Sequence, residues 1–257
     1  MSASSHAAHA SHKLSSLLGN AYRTRAAVAV PGELEPDDAE SAYVVQRQLL
    51  DEIDSAAGGW KIGAKSAAGP IQGAPLPVDG IYRSHAVLDR KHFPVVGLEL
   101  EIAFTFGREF MPADAAISDP EIIASLQTML ASIEIVSSRL AGWPHVPALT
   151  QLADLQNHGA LIVGDAVDYH AAFPFQNPRL RLAIGETEIF NGSGSNPAGD
   201  PRRLLPWLVR HCIARGMPLP AGSILTTGSY TGIHFPAQAG VVSGEIDGLP
   251  PILFSLV

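Results

Sequence analysis

The chain has 257 residues, 46% of them apolar and 16% charged, with a formal net charge of −8. That length suits one large domain or two small ones. The apolar share excludes a disordered chain, and an acidic balance with no Lys/Arg block argues against a nucleic-acid surface. A single cysteine, Cys212, excludes an internal disulfide framework; with no secretory signal, the expected compartment is the reducing cytoplasm. No apolar stretch reaches the roughly 18 residues of a membrane span.

In chain order, residues 1–13 are small and polar and read as a disordered lead-in to one α+β domain over 14–257, with a small helical N-terminal lobe. The pattern predicts a helix from Asp37 to Ala57, with Val45, Leu49 and Ile53 on one face and Gly58-Gly59 ending it. Gly59 to Gly80 is rich in Gly, Pro and Ala and reads as loop around one short strand. Val95 to Phe106 alternates as a strand. Asp119-Pro120 predicts a helix start, with Ile122, Ile123, Leu126, Met129 and Leu130 as its buried stripe, and Ser132 to Val136 predicts a short strand. Strands follow over 159–167 and 179–190. Asp200-Pro201 opens a helix bearing Leu204, Leu205, Leu208 and Cys212, with Pro206 forcing a kink or a later start. The C-terminal quarter is β-rich: Ser223 to Thr227, Val241 to Ile246, then an Asp247-Gly248 turn into Ile252 to Val257.

The segment Gly97-Leu98-Glu99-Leu100-Glu101-Ile102-Ala103-Phe104 concentrates the chemistry. Strand alternation sends Glu99 and Glu101 to one face, with small Gly97 and Ala103, and the large apolar residues to the other. Two adjacent carboxylates in a partly closed site repel unless a cation lies between them. Carboxylate oxygens with room for water suit Mg²⁺ or Mn²⁺. The same two acids would also sit comfortably on a solvated strand face. Glu134, alone between Ile133 and Ile135, offers a third carboxylate or a solitary surface acid. Lys61, in Gly59-Trp60-Lys61-Ile62-Gly63, reads as a substrate-carboxylate cation or a snorkelling surface lysine. Asp79 in Val78-Asp79-Gly80 is a turn residue by default and a candidate for proton transfer. Asp154, Asn157 and His158 form a polar cluster suited to loop capping.

Other signals lack context. Gly192-Ser193-Gly194-Ser195 has no strand-then-helix setting for a phosphate loop, no Gly-x-Ser-x-Gly elbow occurs, and His6, His9 and His12 lie in the lead-in. Cys212, on an apolar helical stripe, reads as core.

In order along the chain, GWKIGAKS, PVDGIY, GLELEIAF, SIEIVSSRL, LADLQNHGALIVG, ILTTGSYTG and GVVSGEIDG resemble the 2-keto-4-pentenoate hydratase/4-oxalocrotonate decarboxylase family of the fumarylacetoacetase superfamily. The resemblance runs from residue 14 to the C-terminus. It implies a twisted, mainly antiparallel β-structure with flanking helices, and a Mg²⁺ or Mn²⁺ site on Glu99, Glu101 and Glu134. It also implies catalytic roles for Lys61 and Asp79, with Lys61, Thr227 and Gly228 binding the substrate carboxylate. The implied reaction adds water to a 2-hydroxy-2,4-dienoate, giving a 4-hydroxy-2-oxo acid. Decarboxylation of a 4-oxalocrotonate, hydrolysis of an acylpyruvate and service as a non-catalytic partner subunit are the alternatives. The resemblance further implies a homo-oligomer, and association with a related decarboxylase.

Overall fold

The computed structural model describes residues 3–257, with side chains from residue 8 onward. Two helices come first, α1 (Ala3–Thr24) and α2 (Ala39–Glu52). A hairpin of β1 (Ala57–Ala64) and β2 (Ile71–Pro77) follows, then β3 (Ile81–Arg83), β4 (Val87–Leu88) and the long β5 (Gly97–Phe106). The short helix α3 (Asp119–Ala124) leads into β6 (Leu126–Val136), and α4 (Ala148–Ala153) precedes β7 (His158–Val163) and β8 (Val167–Asp168). After the hairpin of β9 (Arg179–Ile184) and β10 (Thr187–Ser193) come α5 (Leu204–Ala214), β11 (Ile224–Ser229), β12 (Gly240–Ile246) and β13 (Ile252–Leu256).

The strands form two sheets. One runs β2-β1-β11-β5-β6-β7-β3, with β8 also on β6; the other runs β10-β9-β12-β13-β4. Pairing is antiparallel except for β1 with β11, β3 with β7 and β13 with β4. The main core lies between the sheets. Leu98, Leu100, Ile102 and Phe104 of β5 meet Ile133 and Ile135 of β6 and Leu182, Val242 and Phe254 of the second sheet there. A smaller cluster joins Leu14 and Leu18 of α1 to Val45 and Leu49 of α2 and Leu152 of α4, forming the helical N-terminal lobe.

Several elements depart from expectation. The lead-in is helical from Ala3; Met1 and Ser2 lie outside the described residues. Alanine favours helix, and Ser11, Leu14, Ser15 and Leu18, spaced by three and four, are buried on one face of α1. Helix α2 starts after Asp38, whose side chain accepts from the Ser41 amide, and ends at Glu52 rather than at the glycine pair. Gly58 and Gly59 belong to β1, where close packing replaces helix termination as their reason. A Cβ at Gly59 would lie 2.3 Å from the Ile224 carbonyl oxygen of β11. The expected loop after them is a hairpin, and Pro75 and Pro77 are tolerated because β2 is an edge strand. The helix predicted through Leu130 is only six residues long. Met129, Ala131, Ile133 and Ile135 alternate along β6, and ten-residue pairing with β5 overrides the coincidental helical spacing. Pro206 produces the later start: Pro201–Arg203 is a 3-10 turn, and α5 begins at Leu204, so the missing N–H falls in its first turn.

Because β1 carries Lys61, its close approach to β11 bears on the site. Gly59→Ala should cost about 1–3 kcal/mol through overpacking. Gly63→Ala, where nothing lies within 4 Å of the added Cβ, should stay within roughly 0.5 kcal/mol. Equal melting temperatures for the two variants would contradict this strand packing.

Candidate active site

Strand register decides where the acids meet. Glu99 of β5 lies directly opposite Glu134 of β6, and Glu101 opposite Ser132. All three glutamates leave the core face together, and one carboxylate oxygen from each lies within 4.8 Å of the others. Glu134 is fully buried, Glu101 is 2% exposed and Glu99 is half-buried. The surface-acid reading fails for all three.

Lys61 joins them from a distance. On a flat sheet β1 and β6 would stand three strand spacings apart, roughly 14 Å. Yet Lys61 Nζ donates to Glu134 Oε1 at 2.6 Å and to the Gln156 carbonyl at 3.1 Å. The sheet therefore curls, and lysine and acids share its concave face. An ammonium has three donors; two are used, and the third is free for the cavity.

Glu101 and Glu134 are each held by one oxygen. Glu101 Oε2 accepts from the Gly228 amide at 3.0 Å and from Thr226 Oγ1, which itself lies 3.1 Å from Ser132 Oγ. Glu134 Oε1 accepts from Lys61 and lies 3.0 Å from His158 Nδ1, while Glu134 Oε2 is buried with no partner. One oxygen from each of the three acids thus lies close to the others. The cavity, of about 280 Å³, is lined by these acids, Lys61, Gln156 and Gly228 among others.

Three carboxylates against one ammonium leave two negative charges without an internal counter-charge. Burial and the charge of Glu134 push Glu99 up to about 7, and burial, Glu134 and Glu99 push Glu101 up to about 8. Burial also works against a charged Glu134, but Lys61 and His158 outweigh it and hold that carboxyl below the usual range. Burial works to discharge Lys61 as well; the surrounding acids prevail and keep it above the ordinary lysine range. Burial dominates at His158 and lowers it, so the neutral ring donates Nδ1–H to Glu134.

The turn before β7 completes the site. Leu155, Gln156 and Asn157 adopt left-handed φ values of 49°, 52° and 59°, a conformation costing about 1–3 kcal/mol per non-glycine residue. Arg139 clamps both ends. It pairs with the Asp154 carboxylate through Nε, donates to the Asp154 carbonyl at 2.8 Å and reaches the His158 carbonyl at 2.7 Å. The strained turn is thereby fixed with the Gln156 carbonyl aimed at Lys61.

Of the residues expected from the sequence, Lys61, Glu99, Glu101, Glu134 and Gly228 converge. Asp79 does not: its side chain is exposed in the turn Val78–Gly80 and does not line the cavity. Thr227 is fully buried and its hydroxyl donates to the Ile102 carbonyl, away from the cavity. Its neighbour Thr226 takes the place beside Glu101. His158 was legible only as a member of a polar loop, Gln156 was missed, and Asp154 serves Arg139 rather than a cap. Cys212 is buried in the core, and Ser195 lines the cavity mouth.

Comparison with known proteins agrees in extent. A 2-keto-4-pentenoate hydratase of Paraburkholderia phymatum is 28% identical over 244 residues, 90% of this chain and 92% of the relative. One of Burkholderia vietnamiensis is 27% identical over 223 residues, 82% of this chain and 84% of the relative. The solved 4-oxalocrotonate decarboxylase from Pseudomonas putida G7, complexed with magnesium and adipate, shares the fold with a TM-score of 0.83 at 17% identity, covering 96% of this chain and 97% of that one. No family model matches the chain.

The raised carboxyls make a stability prediction for metal-free protein in chelator. The folded state keeps protons on Glu99 and Glu101 that the unfolded chain releases above 4.5. This contribution is full below that value and is lost as pH rises through about 7 and 8. Unfolding free energy should therefore fall with rising pH by several kcal/mol, and Glu101→Gln should flatten the decline. Denaturant unfolding across that range checks it; stability that rises with pH would contradict the arrangement.

Proposed function

We propose that this chain, which is similar over most of its length to 2-keto-4-pentenoate hydratases, hydrates a short 2-hydroxy-2,4-dienoate, with a divalent cation held by Glu99, Glu101 and Glu134. The observation that carries this reading is three carboxylates gathered beside a single ammonium, with one oxygen of each within 4.8 Å of the others and Glu134 Oε2 buried with no partner. A hard oxygen donor set of this kind suits Mg²⁺ or Mn²⁺. When bound, such an ion supplies electrostatic stabilisation for negative charge developing on the C2 oxygen of the substrate.

The chain's own residues bind and orient. The third donor of Lys61 takes the C1 carboxylate, while its bonds to Glu134 and Gln156 fix the direction of the ammonium. Gly228 and Thr226 hold the Glu101 carboxylate in place. Reaction proceeds by loss of the enol proton as C2 becomes a ketone and by protonation at C5. Water oxygen then adds at C4 and a proton at C3, giving the 4-hydroxy-2-oxo acid. A 2-hydroxy-2,4-dienoate carries one carboxylate, matching Lys61, the single cation among the described residues that line the cavity. A 4-oxalocrotonate carries two, which favours hydration over decarboxylation here. Asp79, exposed and outside the cavity, has no part in this reading.

Ultraviolet assays test it. Absorbance of 2-hydroxypenta-2,4-dienoate should decay with Mg²⁺ and stop with chelator, faster than any turnover of 4-oxalocrotonate or an acylpyruvate; preference for either rival would overturn the assignment. A charge-assisted hydrogen bond is typically worth ~1.5–3 kcal/mol, so Lys61→Ala should bind oxalate, in the presence of Mg²⁺, roughly 10- to 150-fold more weakly. Lys61→Arg should not fully rescue binding, because the planar fork aims its donors differently. Parent-like binding in both variants would remove Lys61 from the site.

A further inference from the structure

Strand β1 separates two cavities. Lys61 faces the active site, and Trp60, its neighbour in sequence, faces the opposite side. There a second cavity of about 320 Å³ lies between α2, β1 and the end of α5, within the size range of small-molecule sites. Its walls include Tyr43, Trp60 and His211, and its charged groups are Arg47, Arg215 and Glu40. The active-site residues named above do not line it.

Two polar side chains shape this cavity, His211 and Arg215. His211 is 6% exposed, with its ring stacked on Trp207 at 4.6 Å and edge-on to Tyr43 at 4.5 Å and Trp60 at 5.5 Å. No hydrogen bond engages its ring nitrogens, and burial, helped by Arg215, pushes the group down to about 3, so it is neutral near pH 7. Arg215 gives one terminal nitrogen to Glu40 and the other to the His211 carbonyl at 3.3 Å, and its guanidinium lies 4.8 Å from the centre of the Tyr43 ring. Its Nε is buried with no acceptor. An unsatisfied buried donor is costly, which makes such a group a natural partner for an incoming oxygen.

We propose that this cavity binds a planar aromatic carboxylate. The aromatic walls suit a flat ring, and a volume of about 320 Å³ exceeds by a wide margin the roughly 150 Å³ of a cavity that accepts benzene. Two arginines against one glutamate give the lining a net positive charge. The carboxylate lies beside the Arg215 guanidinium and faces Arg47, which is exposed at the side of the cavity. The neutral His211 ring contributes one donor or acceptor without adding charge. The site stands independently of the hydration reaction, because β1 lies between the two cavities.

Benzoate titration of the full chain in chelator tests this, read through tryptophan fluorescence and the ring resonances of His211. Benzoate should bind saturably, with toluene and acetate each at least about tenfold weaker, since one lacks the charge and the other the ring. Arg215→Met should weaken benzoate about tenfold or more and Arg47→Ala severalfold, while Val44→Trp should fill the cavity and abolish binding. Lys61→Ala should leave benzoate affinity unchanged. The proposal is overturned if the His211 signals do not move by about 10 mM benzoate, including where a second copy of the chain covers the cavity. Toluene binding as tightly as benzoate, or benzoate binding lost in Lys61→Ala but kept in Arg215→Met and Arg47→Ala, overturns it equally. Should Arg215→Met fail to fold, Arg47→Ala, on an exposed position, carries the same decision.

Discussion

The register that sets Glu99 opposite Glu134 creates a problem that much of the surrounding structure answers. Like charges directly across an antiparallel pair destabilise it, and here the pair is largely removed from water with Glu101 two residues along the same face. Lys61 crosses the curled sheet to one oxygen of Glu134, and His158 supports the same oxygen from behind. Glu101 is held by a hydroxyl and a backbone amide. These contacts neutralise part of the charge and leave the rest facing one small volume. A site poised in this way binds protons when nothing else is present, as the raised Glu99 and Glu101 carboxyls indicate. The same preference favours a divalent cation.

Holding such a cluster requires rigidity that the site residues do not provide for themselves. The buried Arg139–Asp154 pair supplies it, because the guanidinium ties together the residues flanking three consecutive left-handed positions. Buried ion pairs are weak evidence for stability as such. Here the pair fixes a backbone carbonyl that helps orient Lys61. Gly80 adds a matching constraint, since a Cβ there would come within 3.3 Å of His158 Nε2, on the far side of the ring from Glu134. The imidazole is thus confined between β6 and the turn that carries Asp79.

Strand β1 has a double role. One face carries Lys61 to the acids, and the other carries Trp60 to the aromatic cavity against α2 and α5. Gly59 lets the strand approach β11 closely enough to place both. Hydratase and decarboxylase chemistry can share an enolate stabilised beside carboxylates. Apart from the acids, the cavity places Lys61 beside Ile62, Pro197, glycines and the polar Gln156, Ser195 and Ser229.

The sequence by itself determined the chemical inventory and the facing of its strands. Alternation through Leu98, Leu100 and Ile102 could only send Glu99 and Glu101 to one side, and Ile133 and Ile135 likewise isolated Glu134. These are local consequences of a two-residue period. The glycine- and proline-rich 57–77 was harder to read because its intrinsic preference is weak, and at 126–131, rich in helix formers, pairing with β5 overrode local preference. Tertiary structure alone decided that Lys61 meets Glu134 across 73 residues of chain, that Thr226 rather than Thr227 faces Glu101, and that Asp79 stays outside. Such outcomes depend on sheet curvature, on interstrand register and on where a turn is clamped. Each is a sum over distant contacts, and no short window of sequence contains it.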